Sequence, residues 1–246
     1  MSADWITPDW PAPQNVRALS TTRQGGVSQP PWDSLNLGEH VGDDPLDVRR
    51  NRARLRSLAR LPGEPLWLEQ IHGCGVRTHE NTSCRADACF SRAHGQVCAV
   101  MTADCLPVLL CDQTGSAVAA VHAGWRGLAG GVVEQALHCF AQPASAIMAW
   151  LGPAIGPAAF EVGGDVRDAF LRQHSQAESA FVPHGSGKWL ANIYGLARQR
   201  LQAQGVSRIY GGDFCTYTES TRFFSYRRDG NTGRMASLIW LEKSHE

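Results

Sequence analysis

The sequence has no excess of charge of either sign, because 23 basic residues balance 23 acidic residues over 246 positions. This balance removes the electrostatic argument for non-specific binding to nucleic acid or to a membrane surface. A local basic pocket for a small anion is still compatible with it. We therefore expect neither nucleic acid nor a membrane among the partners.

Long hydrophobic runs are also missing. A membrane-spanning helix needs about 18 apolar residues, and the best candidate, 144–155, is interrupted by Gly152 and Pro153. Residues 1–16 lack the basic start and apolar run of a signal peptide. These features predict a cytoplasmic location.

None of the eight cysteines is part of a CxxC pair, which excludes a zinc ribbon and a thioredoxin motif. In a chain of this length without a secretion signal, free thiols are expected rather than disulfides. Most of these thiols are expected to be small core residues.

The chain also has no internal repeat, low-complexity tract or Ser/Pro-rich linker, and 43% of its residues are hydrophobic. We therefore predict a single domain over 1–246. Apolar patterning predicts helices over 47–61, from the 124–127 turn to about 140, over 166–173 and over 191–204. It predicts strands over 18–23, 66–70, 76–79, 98–102, 107–111, 117–122, 147–151, 209–210, 223–226 and 235–240. Strands and helices mix without strict alternation, which favours an α+β fold with a mixed sheet and helices outside.

Three segments place a reactive side chain where an apolar strand runs into a turn containing Gly or Pro. The side chains are those of His72, Cys105 and His122. Strand ends are rigid and the adjoining loops are open to a ligand. Two imidazoles and one thiolate form a three-ligand zinc set with a fourth position for water or substrate, as catalytic sites require.

The separations of these residues match no local metal motif, so the residues alone leave alternatives open. His72 can be a hydrogen-bonded turn residue, and Cys105 can be a buried apolar thiol. Cys105 can also be a nucleophile that uses a histidine as its base. The remaining histidines have no comparable setting and are treated as ordinary; they are His40, His79, His94, His138, His174, His184 and His245.

Basic side chains form a second group of candidates, although surface charge is the simpler interpretation of any single arginine. Arg23 precedes Gly25 and Gly26, which let a backbone approach a ligand closely. Arg126 lies at the start of a predicted helix, where free N–H groups favour an anion. Arg227 follows an aromatic segment.

Several motifs together resemble the bacterial laccase-domain family, also called the multicopper polyphenol oxidase or peptidoglycan editing factor family. They extend from about residue 19 to residue 241 and are TRQGGVS (22–28), SLNLG (34–38), QIHG (70–73), TADCLP (102–107), HAGWRG (122–127), LGPAIG (151–156) and FSYRRD (224–229). One departure follows Gly156, where Ala158 and Ala159 precede Phe160 and relatives often have Cys and Tyr.

This resemblance implies an α+β sandwich of mixed sheets flanked by helices, similar in core to the cysteine deamidase toxins. It implies a zinc ion on His72, Cys105 and His122, with Arg23 near the substrate. It also implies phosphorolysis of adenosine, inosine and methylthioadenosine, together with deamination of adenosine. Arg23, Arg126 and Arg227 are then candidates for positioning phosphate, and Asp104 is a candidate proton carrier because it adjoins Cys105.

Three other functions remain to be weighed. A copper phenol oxidase fits the family's older name, but the chain has no HxH pair and only nine histidines, so copper is less favoured than zinc. A cysteine hydrolase acting on peptidoglycan precursors would use Cys105 as its nucleophile. A non-catalytic binding protein has no positive support in the sequence.

Overall fold

The structure, a computed structural model, describes residues 4–242 and therefore excludes His245. Its strands are β1 (Val16–Ser20), β2 (Val76–Arg77), β3 (Ala88–Ser91), β4 (Cys98–Thr102), β5 (Leu106–Asp112), β6 (Val118–Ala123), β7 (Ile147–Leu151), β8 (Glu161–Gly163), β9 (Phe181–Pro183), β10 (Lys188–Ala191), β11 (Arg208–Gly211) and β12 (Met235–Leu241). Its α-helices are α1 (Pro45–Leu58), α2 (Trp125–Gly130), α3 (Val132–Leu137), α4 (Gly164–Leu171), α5 (Ile193–Ala203) and α6 (Tyr226–Asp229).

The largest sheet has six strands in the order β11-β7-β5-β6-β3-β2, and it mixes parallel and antiparallel pairs. A second sheet, β1-β12-β4, packs against one face of it. Side chains on a strand alternate between faces, so Leu109 and Cys111 of β5 share the layer between the sheets with Val100 and Ile239. The alternate residues Val108 and Leu110 join the core under helices α2, α3 and α5. This arrangement confirms the predicted single-domain α+β sandwich.

Strands β4, β5 and β6 occupy the middle of the fold, and every residue in them is buried. Continuous apolar runs are typical of strands covered on both faces, which explains why the sequence predicted these three well. Cys105 lies between β4 and β5, and His122 lies within β6, so the centre of the molecule fixes two of the three reactive residues, while His72 lies in the loop before β2. The similarity of this core to the deamidase toxins stays a prediction, as does the extent of the domain to residues 1 and 246.

Several predicted elements were wrong. Residues 223–226 are not a strand, because Phe223 and Phe224 are buried in a loop and Ser225 caps α6, its Oγ accepting from the Arg228 N–H at 3.2 Å. In 66–70, Leu66 makes only an isolated bridge to Cys98. The helix expected from the 124–127 turn to 140 is broken by Gly131, whose φ of 100° ends α2. None of the helices within 4–242 has the length and apolar character needed to cross a membrane.

Candidate metal centre

The structure brings His72, Cys105 and His122 together. One potential ligand atom from each residue lies within 4.8 Å of the other two. The Cys105 Sγ is 3.9 Å from the His72 Nε2, and the two imidazole rings meet edge to face with centroids 4.9 Å apart. Residues separated by 33 and 17 positions in the chain thus form one compact donor set.

The pairing of β5 with β6 places two of these residues side by side. Pro107 faces His122, and Leu106 faces Ala123, so Cys105 lies beside the end of β6. Gly124 follows directly, and a Cβ atom there would lie 2.9 Å from the Cys105 Sγ and 3.1 Å from the His72 Cδ2. Glycine is therefore required here because the donor set occupies the space of a side chain.

A buried carboxylate, that of Asp87, holds the histidines in place. It accepts hydrogen bonds from the backbone N–H groups of His72 at 2.9 Å and Gly73 at 2.7 Å, and from the His122 Nδ1 at 2.8 Å. Burial would raise the pKa of Asp87, but the hydrogen bonds from His122 and Gly73 lower it overall. With Nδ1 of His122 committed to this bond, Nε2 is left to bind a ligand, as is usual for histidines that bind metals.

The backbone at the site has an uncommon conformation. His72 has a backbone φ of 60° and Asp104 a backbone φ of 91°, values that residues other than glycine rarely adopt. The conformation of His72 is held by the hydrogen bond from its backbone N–H to the Asp87 carboxylate. The Asp104 carboxylate accepts hydrogen bonds from the Thr216 hydroxyl and the Arg227 N–H, both at 2.6 Å. Such strain persists only where surrounding contacts enforce it, and it is typical of functional sites.

The charges of the site favour a thiolate. Burial would raise the pKa of Cys105, but the charge of His122 and hydrogen bonds from both histidines lower this pKa to about 6. Burial would likewise lower the pKa of His122, but the Cys105 thiolate and Asp87 raise it to about 9. A thiolate is the form of cysteine that binds metals and attacks electrophiles.

The donor set fits zinc. Tetrahedral zinc with Zn–N near 2.0–2.1 Å and Zn–S near 2.3 Å separates sulfur and nitrogen ligands by about 3.6 Å, close to the 3.9 Å between Cys105 and His72. Imidazole nitrogen and thiolate sulfur are both ligands that zinc accepts, and a carboxylate behind one imidazole is the usual support for a metal-binding histidine. The group therefore points to a metal ion, and it leaves one coordination position open.

Two cavities meet at the donor set. The first, which we call the aromatic cavity, has a volume of about 250 Å³ and is lined by His72, Ala103, Asp104, Cys105, Trp125, Arg126, Ile155, Phe160, Ile193, Tyr226 and Arg227. The second, the basic cavity, has a volume of about 390 Å³ and is lined by His40, Gln70, His72, Met101, Thr102, Ala103, Cys105, His122, Tyr226 and Arg234. His72, Ala103, Cys105 and Tyr226 belong to both.

The arginines predicted to bind substrate have different positions. Arg126 and Arg227 line the aromatic cavity, where they lie over the rings of Trp125 and Phe160 at 4.4 and 5.6 Å. Arg23 lines neither cavity. Its Nε donates to the Asp33 carbonyl at 2.9 Å and its Nη1 to the Ser220 carbonyl at 3.1 Å. Its predicted contact with substrate therefore gains no support from this geometry.

Sequence reasoning missed three residues of the site, namely Asp87, Arg234 and His40. Asp87 is a fully buried carboxylate just before β3, and its place at the edge of an apolar run was the available signal. His40 was treated as ordinary, but it lines the basic cavity. No local pattern marks Arg234, because only the chain reversal before β12 brings it to the site.

Comparison with known proteins agrees with this description. A family model described as "Multi-copper polyphenol oxidoreductase laccase" matches residues 17–242. The chain belongs to this family. The resemblance drawn from the motifs is therefore confirmed.

Similar proteins cover nearly the whole chain. The chain is 59% identical over 239 residues to "Purine nucleoside phosphorylase YfiH" of Escherichia coli (strain K12), covering 96% of this chain and 98% of that protein. It is 56% identical to "Purine nucleoside phosphorylase PA4543" of Pseudomonas aeruginosa, covering 97% and 98%.

Solved structures share the fold. The crystal structure of Neisseria meningitidis protein NMB0706 superposes with a TM-score of 0.93 at 53% identity, covering 98% of this chain and 100% of that one. The crystal structure of YlmD from Geobacillus stearothermophilus gives a TM-score of 0.83 at 31% identity, covering 97% and 96%.

Proposed function

We propose that this protein is a zinc-dependent purine nucleoside phosphorylase whose metal is held by His72, Cys105 and His122. The observation that carries the proposal is the position of this donor set where two cavities meet. Two relatives named purine nucleoside phosphorylase, at 59% and 56% identity, support the substrate class. Adenosine, inosine and methylthioadenosine are the proposed substrates.

The aromatic cavity suits the purine base. Phe160, Ile155 and Ile193 are almost fully buried in its wall, and Trp125 is half-buried. Flat aromatic ligands gain both apolar burial and ring contacts in such a cavity. Arg126 and Arg227 add positive charge at its rim, which can stabilise the electron density that a departing purine acquires.

In phosphorolysis a phosphate oxygen forms a bond to the anomeric carbon while the bond from that carbon to the purine nitrogen breaks. The bonding electron pair leaves with the base, which then takes up a proton. Zinc, when bound, would supply Lewis-acid chemistry at this position. The chain's own residues bind both reactants and exclude water from them.

Asp104 is assigned here to positioning rather than to proton transfer. Both of its carboxylate oxygens accept hydrogen bonds, one from Thr216 and one from the Arg227 N–H. These bonds join the loop before β5 to α6 and to the loop that contains Thr216. The earlier hypothesis of a proton carrier has no support in this arrangement.

Deamination of adenosine is proposed as a second activity of the same donor set. Zinc deaminases normally have a glutamate within an HxE motif and a CxxC pair, and the sequence has neither. The reaction would therefore use a different scaffold. Loss of both activities on removal of one ligand would support a shared metal.

Zinc is proposed rather than copper because of how the donor groups are distributed. Within 4–242, His72, Cys105 and His122 form the only group of three or more His, Cys, Asp or Glu residues placed to hold a metal ion. Laccase-type oxidation needs several copper ions with many histidine ligands. One three-residue group cannot supply them.

A cysteine hydrolase is a second candidate, because the Cys105 thiolate lies within reach of two histidines. Metal content and reaction products separate these functions. We expect about one zinc and no copper in the purified protein, and release of free base from adenosine only when phosphate is present. Full activity after zinc removal would favour the hydrolase, and stoichiometric copper would favour the oxidase.

A further inference from the structure

The two cavities at the donor set differ in charge. The aromatic cavity contains Asp104 as well as two arginines. The basic cavity contains Arg234, together with three histidines, and none of its lining residues carries a carboxylate. Its most acidic side chain is that of Cys105, which belongs to the donor set proposed to hold the metal. A cavity with positive charge and no carboxylate is suited to an anion.

Arg234 is held so that part of its guanidinium is available. Its Nη1 donates to the carbonyl groups of Thr232 and Gly233, both at 3.0 Å. Gly38 leaves room for its stem, since a Cβ there would lie 2.8 Å from the Arg234 Cγ. In the part of the chain that the structure describes, Nε and Nη2 have no hydrogen-bond partner. Two donors on one planar group match two oxygens of a phosphate.

His40 supplies a third donor to the same cavity. It lies in a single turn of 3-10 helix, Glu39–Val41. Burial and the nearby charge of Arg234 lower the pKa of His40, which favours the neutral ring. A neutral imidazole still donates one N–H, and it does not add a second positive charge beside Arg234.

We propose that the basic cavity is the phosphate subsite, in which Arg234 and His40 bind the phosphate that attacks the nucleoside. This inference rests on the proposed function. It assigns phosphate binding to Arg234 and His40 instead of Arg23. The base then occupies the aromatic cavity, and the ribose lies at the residues that both cavities share. Phosphate must approach the anomeric carbon from the side away from the departing base, and two adjoining cavities supply separate places for these groups.

The test measures steady-state kinetics of inosine phosphorolysis with phosphate and inosine varied separately. Arg234→Gln and His40→Ala should raise the KM for phosphate about 10- to 100-fold, while the KM for inosine changes less than about twofold. Arg234→Lys keeps the charge but loses the planar fork, so its KM for phosphate should lie between those of wild type and Arg234→Gln. Zinc content and melting temperature establish that each variant is folded and loaded.

Two comparison variants sharpen the result. Arg54→Gln removes one exposed positive charge from α1, and it should leave both KM values unchanged. Arg227→Gln acts in the aromatic cavity, so it should raise the KM for inosine. An unchanged KM for phosphate in Arg234→Gln, or a phosphate defect confined to Arg227→Gln, would overturn the proposal.

Titration calorimetry with inorganic phosphate separates this inference from the proposed function. Zinc-loaded wild-type protein should bind phosphate, and Arg234→Gln should bind it at least about tenfold more weakly. If wild type cleaves no nucleoside but shows this difference, the phosphorylase assignment fails and the anion site stands. If both proteins bind phosphate equally, or neither binds it, the anion site is wrong.

Discussion

The Asp87 carboxylate accepts a hydrogen bond from the His122 Nδ1 at 2.8 Å, and both side chains are buried. The same carboxylate accepts the N–H of His72. One carboxylate therefore orients two of the three residues of the donor set. This arrangement makes Asp87 a positioning residue for the metal.

Replacing Asp87 with Asn should weaken zinc binding about 10- to 100-fold, the usual effect of losing such a partner. An amide cannot accept from three donors as a carboxylate does, and its NH₂ group opposes the backbone N–H groups. Competition with a chromophoric chelator measures the affinity. Asp168→Asn, at an exposed position of α4, is the control. Equal zinc affinities for the two variants would show that Asp87 does not position the ligands.

Gly124→Ala should damage the donor set while sparing the fold. Gly124 has a φ of −60°, which alanine adopts freely, but the added Cβ would crowd the Cys105 Sγ and the His72 ring. We expect zinc affinity to fall at least about tenfold, with little change in the melting temperature of the metal-free protein. Gly164→Ala is a matched control, because a Cβ there meets nothing within 4 Å. Normal zinc binding by Gly124→Ala would contradict the described packing.

Cys105 in the metal-free protein should react with iodoacetamide in a pH-dependent way. A pKa of about 6 means that thiolate increases as pH rises through 6, so about 90% is ionised at pH 7, against about 1% for an ordinary thiol of pKa 9. The rate should therefore fall about tenfold per pH unit below pH 5. Mass spectrometry identifies the alkylated residue, and Cys105→Ser is the control.

Zinc should protect Cys105 from this reaction until a chelator removes the metal. A ligand thiolate has its lone pair engaged by the ion, whereas a free nucleophile reacts at once. Equal alkylation rates with and without zinc would favour the cysteine hydrolase over the metalloenzyme.

His122→Ala should abolish phosphorolysis and adenosine deamination together, with zinc affinity reduced at least about 100-fold. Both reactions depend on one ion in the proposed function. Release of free base and release of ammonia are measured on the same preparation. His138→Ala, at an exposed position after α3, should retain both activities. Retained deamination in His122→Ala would show that the two reactions do not share the metal.

Much of the fold could be predicted from sequence because its central strands are long apolar runs. β4, β5 and β7 begin or end within a residue of the predicted bounds. Prediction failed where local composition misleads. Phe223 and Phe224 are aromatic residues of the kind that favour strands. They lie in a loop, however, and their side chains pack in a small core with Met235. The short strands β8, β9 and β10 have too few residues to show a period, and so they were missed.

The donor set could be predicted because each of its members lies at the end of an apolar run and before a turn. The surrounding residues could not. The role of Asp87 depends on three N–H groups from a loop about fifteen positions away, and Arg234 reaches the basic cavity from the far end of the chain. Arg23 was predicted to lie near the substrate partly because Gly25 and Gly26 follow it. In the structure its guanidinium instead contacts the carbonyl and the carboxylate of Asp33.

The pairing of Pro107 with His122 limits which sequence changes can keep the donor set intact. Neighbouring side chains on a strand point to opposite faces, so a slip of one residue between β5 and β6 would turn His122 away from Cys105 and towards the helices. The hydrophobic pattern that sets the alignment of these strands therefore also sets the spacing of sulfur and nitrogen. Loops tolerate insertions, whereas an insertion within β5 or β6 would disturb the alignment that pairs Pro107 with His122.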